Sequence, residues 1–262
     1  MIEKNVDKTL YIPLFGKALV SKKGIIIDDP MAEQIWGQVQ FKLKGKAKSK
    51  WLAYYMGMRS AVFDEWTANQ MAKNPNAVIL HLGCGLDSRF VRVGKNAKQW
   101  VDVDLDKVIQ QRKNFYQPQR NYQMLGADIS ENGFVDALPQ AQGAIVILEG
   151  VSMYLTNQTL QQLFAKLKDK YCNISILVDC YTPFAVKMSK VKNPVNQVGV
   201  KTVYGVKNPQ DLCVNTQVKF VKEWQITPQN LVDQLTGLEK LIFKNLYAGK
   251  ISKALYKLYE YN

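Results

Sequence analysis

Histidine is the scarcest chemically useful residue in this chain: His81 is the one copy in 262 residues. Chemistry that relies on paired histidines, whether as bases or as metal ligands, has nothing to draw on. The four cysteines, Cys84, Cys172, Cys180 and Cys213, lie far apart with no CxxC pair, which points away from both a zinc site and a disulfide framework. No apolar run approaches the roughly eighteen residues needed to span a membrane, so no membrane partner is expected. The opening MIEKNVDKTLYIPLF lacks the basic-then-apolar order of a signal peptide, and the expected location is the cytoplasm. Acid is in deficit too: 22 Asp and Glu against 35 Lys and Arg leave a net charge of +13. That balance suits an anionic partner, yet the lysines are scattered. The dense run KLKGKAKSK, Lys42 to Lys50, carries no interleaved aromatics and reads as a solvated loop, or as a lid over a pocket that accepts acids.

What is present centres on Ala77 to Asp106, AVILHLGCGLDSRFVRVGKNAKQWVDVDLD. The apolar run from Ala77 to Leu82 stops at Gly83-Cys84-Gly85, the pattern of a buried parallel strand ending in a tight turn. Glycine there permits positive φ and lets the backbone approach a ligand closely. About twenty residues on, Trp100 to Asp104 forms a second strand-like run ending in acid, the arrangement that accepts ribose hydroxyls in nucleotide-binding α/β sheets. A dinucleotide fingerprint needs a third glycine where Ser88 stands, and Asp87 places negative charge where a pyrophosphate would sit. S-adenosylmethionine, with its sulfonium and ammonium, tolerates that acid.

The chain is long enough for one large α/β domain with ample core. Residues 1–75 read as a helical extension, with Asp29-Pro30 opening a helix and Arg59 interrupting an apolar helical face. An arginine there is costly to bury without an anion; Asp64 and solvent are the plain alternatives. Residues 76–182 read as the cofactor-binding core. Its strands end at Gly83, Asp104, Asp128, Glu149 and Asp179, where ligands bind in parallel α/β sheets, although strand-end acids also serve as helix caps. Residues 183–215, polar and containing Lys187, Lys190, Lys192, Asn193 and Pro194, read as a substrate-covering insertion. In the remainder, 216–262, Gln217 to Ile226 alternates as a sixth strand, Leu238 to Ala248 is helical, and the strand around Ala254 to Tyr261 is the antiparallel one.

The segments LGCGLDSR, VDVDLD, GAD and LEGVSMYL, with GMRSAVFDEW ahead of them, together resemble the leucine carboxyl methyltransferase superfamily, in its bacterial branch of tetracenomycin-type polyketide O-methyltransferases. The likeness is clearest over residues 9–182. It implies an α/β, Rossmann-like class I methyltransferase fold, with a seven-stranded, mostly parallel sheet, one antiparallel strand and helices on both faces, and S-adenosylmethionine as cofactor. By the same resemblance Arg59 holds the methionyl carboxylate and Gly83 lies against the cofactor with Gly85. Asp104 takes the ribose hydroxyls, Asp128 and Ile129 line the adenine, Glu149 faces the methionyl portion, and Tyr154 borders the acceptor pocket. Asp106 stands where the family usually has proline.

The acceptor can be approached through charge. A carboxylate is already ionised at neutral pH, whereas a phenol near pKa 10 benefits from a base. His81 lies inside the first strand and reads as a buried core residue. The expectation is therefore a small, acidic acceptor, carboxylate before phenol, with Tyr154, Tyr181 and Lys201 to Lys207 as candidates to orient it. A nucleic-acid methyltransferase and a non-catalytic cofactor-binding protein stay open, but no RNA-binding module or aromatic-basic patch favours nucleic acid.

Overall fold

A computed structural model describes residues 9–131, 133–192 and 202–262. Residues 1–8, Asn193, Pro194 and Lys201 lie outside them. The frame is a seven-stranded sheet in the order β3-β2-β1-β4-β5-β7-β6. Its strands are β1 (Val78–Leu82), β2 (Gln99–Asp104), β3 (Tyr122–Gly126), β4 (Gly143–Leu148), β5 (Asn173–Tyr181), β6 (Phe220–Trp224) and β7 (Tyr256–Tyr261). β1 pairs in parallel with β2 and with β4, and β4 in parallel with β5. β7 runs antiparallel between β5 and β6, pairing Ile176 with Tyr261 and Trp224 with Leu258.

The central strands are apolar on both faces because both are covered. Ile79, Ile145 and Leu177 point into one layer with Tyr54, Phe63 and Trp66. Leu80, Val146 and Val178 point into the other with Leu160, Phe164 and Leu167. The first layer is supplied by α1 (Tyr11–Lys22), α2 (Pro30–Gln38) and α3 (Lys50–Lys73). α2 starts as Asp29-Pro30 foretells: the Asp29 carboxylate accepts from Ala32 N at 2.9 Å with proline in the first turn. The second layer rests on α5 (Asn157–Lys170), capped by Thr156. α4 (Asp106–Arg112) connects β2 to β3, and the chain after Arg112 turns away.

The distal part departs from its reading. The polar segment after β5 opens with a helix, α6 (Pro183–Lys192). The sixth strand shrinks to Phe220–Trp224, with a register shift between Phe220 and Lys222. α7 (Gln229–Val232) and α8 (Gly237–Leu246) follow, and α9 (Lys250–Leu255) takes the residues ahead of β7.

β1 has β2 on one side and β4 on the other. The strand order reverses there, and a crevice opens beyond the carboxyl ends of β1 and β4.

Candidate active site

Gly83 follows β1 with φ +69° and Gly85 comes two residues later with φ +53°. Gly83 N donates to Val103 O at 2.7 Å, which folds the turn back onto β2. A Cβ on Gly83 would lie 2.2 Å from Val151 Cγ2. Gly83→Ala is therefore expected to cost about 2–3 kcal/mol, summing left-handed strain and overpacking, as read by urea unfolding. A loss below about 0.5 kcal/mol would show that the turn is not sterically fixed.

Asp104 grips this turn: its Oδ2 accepts from Gly85 N at 2.7 Å and its Oδ1 from Leu105 N at 2.8 Å. Burial pushes its carboxyl upward despite these two bonds. From below, Arg112 on α4 donates to Gly85 O at 2.9 Å and to the buried Asp102 carboxylate. Tyr122 Oη at 2.6 Å and Trp100 Nε1 at 2.8 Å also serve Asp102. Burial opposes charge on Asp102, yet Arg112 and His81 hold its carboxyl at about 2.

Arg59, on α3, is 4 % exposed. Its partners are neither Asp64 nor solvent. Nε donates to Glu149 Oε1 at 3.1 Å, while Nη1 donates to Asp179 Oδ2 at 2.8 Å and to Tyr256 Oη at 3.1 Å. Glu149, just past β4, also accepts from Arg89 at 2.5 Å. Burial works against its charge, but Arg89 and Arg59 outweigh it and hold the carboxyl at about 2. Asp179 goes the other way, to about 6, because burial and the neighbouring Glu149 outweigh Arg59.

Asp64, one of the plain alternatives for Arg59, instead binds Arg89 at 2.6 Å and Arg92 at 2.6 Å. Asp87 lies 3.0 Å from Lys17 and 3.0 Å from Arg92. Five cations in this network, Lys17, Arg59, Arg89, Arg92 and Arg112, thus face six carboxylates: Asp29, Asp64, Asp87, Asp102, Glu149 and Asp179. The buried balance is one negative charge.

A cavity of about 560 Å³ opens over this network. Arg59, Gly83, Gly85, Glu149, Tyr154 and Tyr181 all line it. Asp104 is joined to it only through Gly85. Asp128 and Ile129 are not among the lining residues; Asp128 closes a turn onto Ser130 N at 2.8 Å. His81 is buried and reaches the cavity wall, but its Nε2 faces the Arg89 guanidinium at 3.4 Å and its Nδ1 faces Asp102 at 3.3 Å. Both ring nitrogens therefore face side chains of the network. Of the Lys42–Lys50 run, Gly45–Lys48 forms a short 3₁₀ turn whose Lys46 lines the cavity while Ala47 is buried. Lys207 is exposed and outside the lining.

The family model for leucine carboxyl methyltransferase matches residues 7–168. The chain belongs to that family.

This methyltransferase is 25% identical over 240 residues to the tetracenomycin polyketide synthesis O-methyltransferase TcmP of Streptomyces glaucescens, covering 90% of this chain and 89% of that protein. It is 22% identical over 231 residues to the S-adenosyl-L-methionine-dependent methyltransferase dpfgK of Gibberella zeae, covering 79% and 77%. Its fold matches the magnesium protoporphyrin IX methyltransferase of Synechocystis PCC 6803 with bound S-adenosylhomocysteine, with a TM-score of 0.51, 10% identity, and coverage of 88% of this chain and 92% of that one. It is an S-adenosylmethionine-dependent methyltransferase with the seven-stranded class I sheet foreseen from its sequence.

The residues present fit such a cofactor. S-adenosylmethionine carries a sulfonium, an ammonium and one carboxylate, a net positive charge, and the network beneath the cavity has one carboxylate in excess. The turn at Gly83 and Gly85 presents backbone without side chains, and Gly150 brings bare backbone beside Arg59, where a Cβ would lie 3.3 Å from Nη2. The motif GLDSR and the acid pair in VDVD hold Arg89 and Asp102, whose structural weight pattern reading passed over. Lys17 and Arg112 sit in ordinary helical stretches and Arg92 in the π-helical turn Phe90–Gly94, and nothing local marks them.

Proposed function

We propose that this methyltransferase acts on a small molecule through oxygen, and on a carboxylate or similarly acidic hydroxyl before a neutral phenol. The observation that carries the proposal is the cavity itself. It is lined by tyrosines, by the exposed Lys46 and by Lys17 paired with Asp87, and its one imidazole faces Arg89 and Asp102, which favours an acceptor that is already ionised. In this reading Arg59, Gly83, Gly85, Asp104 and Glu149 hold the cofactor, with Asp128 and Ile129 at its adenine end. S-adenosylmethionine, when bound, supplies an electrophilic methyl group.

The protein's part is positional. Arg59 and Glu149 fix one end of the cofactor and Asp104 the sugar, leaving the acceptor oxygen to be aligned from the opposite side. Burial raises the Tyr154 hydroxyl, so it stays protonated at neutral pH and can donate a hydrogen bond to an acceptor oxyanion. It does not act as a base. Apolar walls such as Leu52, Met56 and Met153 exclude water from that contact. TcmP, by its name an O-methyltransferase of polyketide synthesis, supports the small-molecule class.

The test is transfer of labelled methyl groups to matched aromatic and aliphatic acids, their neutral phenolic counterparts, and RNA. The expected result is turnover of acids at least about tenfold above phenols, and none on RNA. Faster turnover of phenols, or labelled RNA, would overturn the proposal.

A further inference from the structure

The mouth of the cavity continues into an apolar surface that the reaction does not require. In α8, Leu238, Leu241, Ile242 and Leu246 recur at helical spacing on one face and are 79%, 62%, 39% and 56% exposed. The helix is not loosely seated. Phe243 on its inner side is fully buried, and Glu239 accepts from Lys50 at 2.8 Å and from Tyr54. The outward leucines are thus held outward. Leu246 belongs to this face and also lines the cavity, as does Met188 of α6, itself 50% exposed. Phe184 stands one turn before Met188 and is 52% exposed. The patch therefore runs along α8 to the cavity mouth and on to α6. Contiguous exposed hydrophobic surface of this kind marks a binding face.

Lysines frame it. Lys244, Lys250 and Lys253 are exposed on α8 and α9, and Lys46 is exposed at the mouth, on a chain of net charge +13. An apolar helix face bordered by lysine is the composition that settles at an anionic lipid interface, with leucines among the acyl chains and ammonium groups at the phosphates. A second copy of the chain suits it less, because apposed faces would bring these lysines against their counterparts.

We infer that α8 and the cavity mouth dock on an anionic lipid surface. On the function proposed above, an amphiphilic acid could then pass from that surface into the cavity without crossing water.

The test is flotation of the full chain with phosphatidylcholine vesicles and with phosphatidylcholine–phosphatidylglycerol vesicles, without cofactor, so that the result does not depend on which acceptor is methylated. Wild type is expected to float with the anionic vesicles only, and less as salt is raised. Leu238→Ser/Leu241→Ser, outside the cavity lining, should weaken this at least about tenfold with cofactor binding and melting temperature unchanged. Should that variant fold poorly, Lys244→Glu/Lys253→Glu is expected to lose about as much. No flotation with anionic vesicles, flotation insensitive to both variants, or a solution dimer abolished by the leucine changes would overturn the inference.

Discussion

Arg112→Met is expected to lower the unfolding free energy by about 3–5 kcal/mol, the usual effect of removing one partner of a buried ion pair. The melting temperature should drop by roughly 10 °C for a chain of this size. Asp102 is wholly buried on β2, and the hydrogen bonds that remain from Tyr122 and Trp100 do not neutralise a carboxylate. The same change frees Gly85 O, so the turn that Asp104 grips is loosened from beneath and cofactor affinity should fall as well. Asp102→Asn in the Arg112→Met background should recover part of the stability by discharging the orphaned acid. Denaturant unfolding of wild type and both variants decides the matter: a loss under about 1 kcal/mol, or no recovery in the double variant, would show that the pair is not what holds α4 to the sheet.

Arg59→Lys is expected to leave the protein folded but to weaken S-adenosylmethionine binding about a hundredfold, measured by titration calorimetry. The planar fork of Arg59 holds Glu149 and Asp179 together, Nε and Nη2 on the first and Nη1 on the second. Lysine keeps the charge but cannot span both acids and a ligand, and each charge-assisted hydrogen bond lost is worth about 1.5–3 kcal/mol. Unchanged affinity would remove Arg59 from the proposed cofactor site.

Asp179 gives this site a pH dependence of definite sign. Its carboxyl sits at about 6 because it is buried beside Glu149. Folding therefore favours its protonated form, and its ionisation subtracts stability from the ligand-free protein as pH rises through about 6. Asp179 does not line the cavity, but a cationic ligand held over the network favours its ionised form. Cofactor affinity should accordingly be flat above about pH 7 and decline below about pH 6, by up to tenfold per unit. Asp179→Asn should flatten that slope; a slope unchanged in the variant would assign it to another group.

The strands were legible because their signal is local. Ala77 to Leu82 is apolar without a break because β1 is covered on both faces, and its end is marked by glycines that the turn needs at positive φ. β2, β4 and β5 read in the same way. Element limits were harder where packing and not pattern sets them. Polarity marked Pro183 to Lys192 only as part of a covering segment; it folds as a helix that puts Ala185 and Met188 on the cavity wall.

By itself the sequence determined the sheet, the glycine turn, the strand-end acids and, through its motifs, the family, because each is written in a few neighbouring residues. Tertiary structure alone decided how the charges pair. Arg59 meets Glu149 and Asp179 from 90 and 120 positions away, and Asp64, close to Arg59 on the same helix, serves Arg89 and Arg92 instead. A buried charge takes whichever partner the packed backbone brings within a few ångströms, and in a parallel sheet those partners come from separate strands and helices, at distances along the chain that no local pattern records.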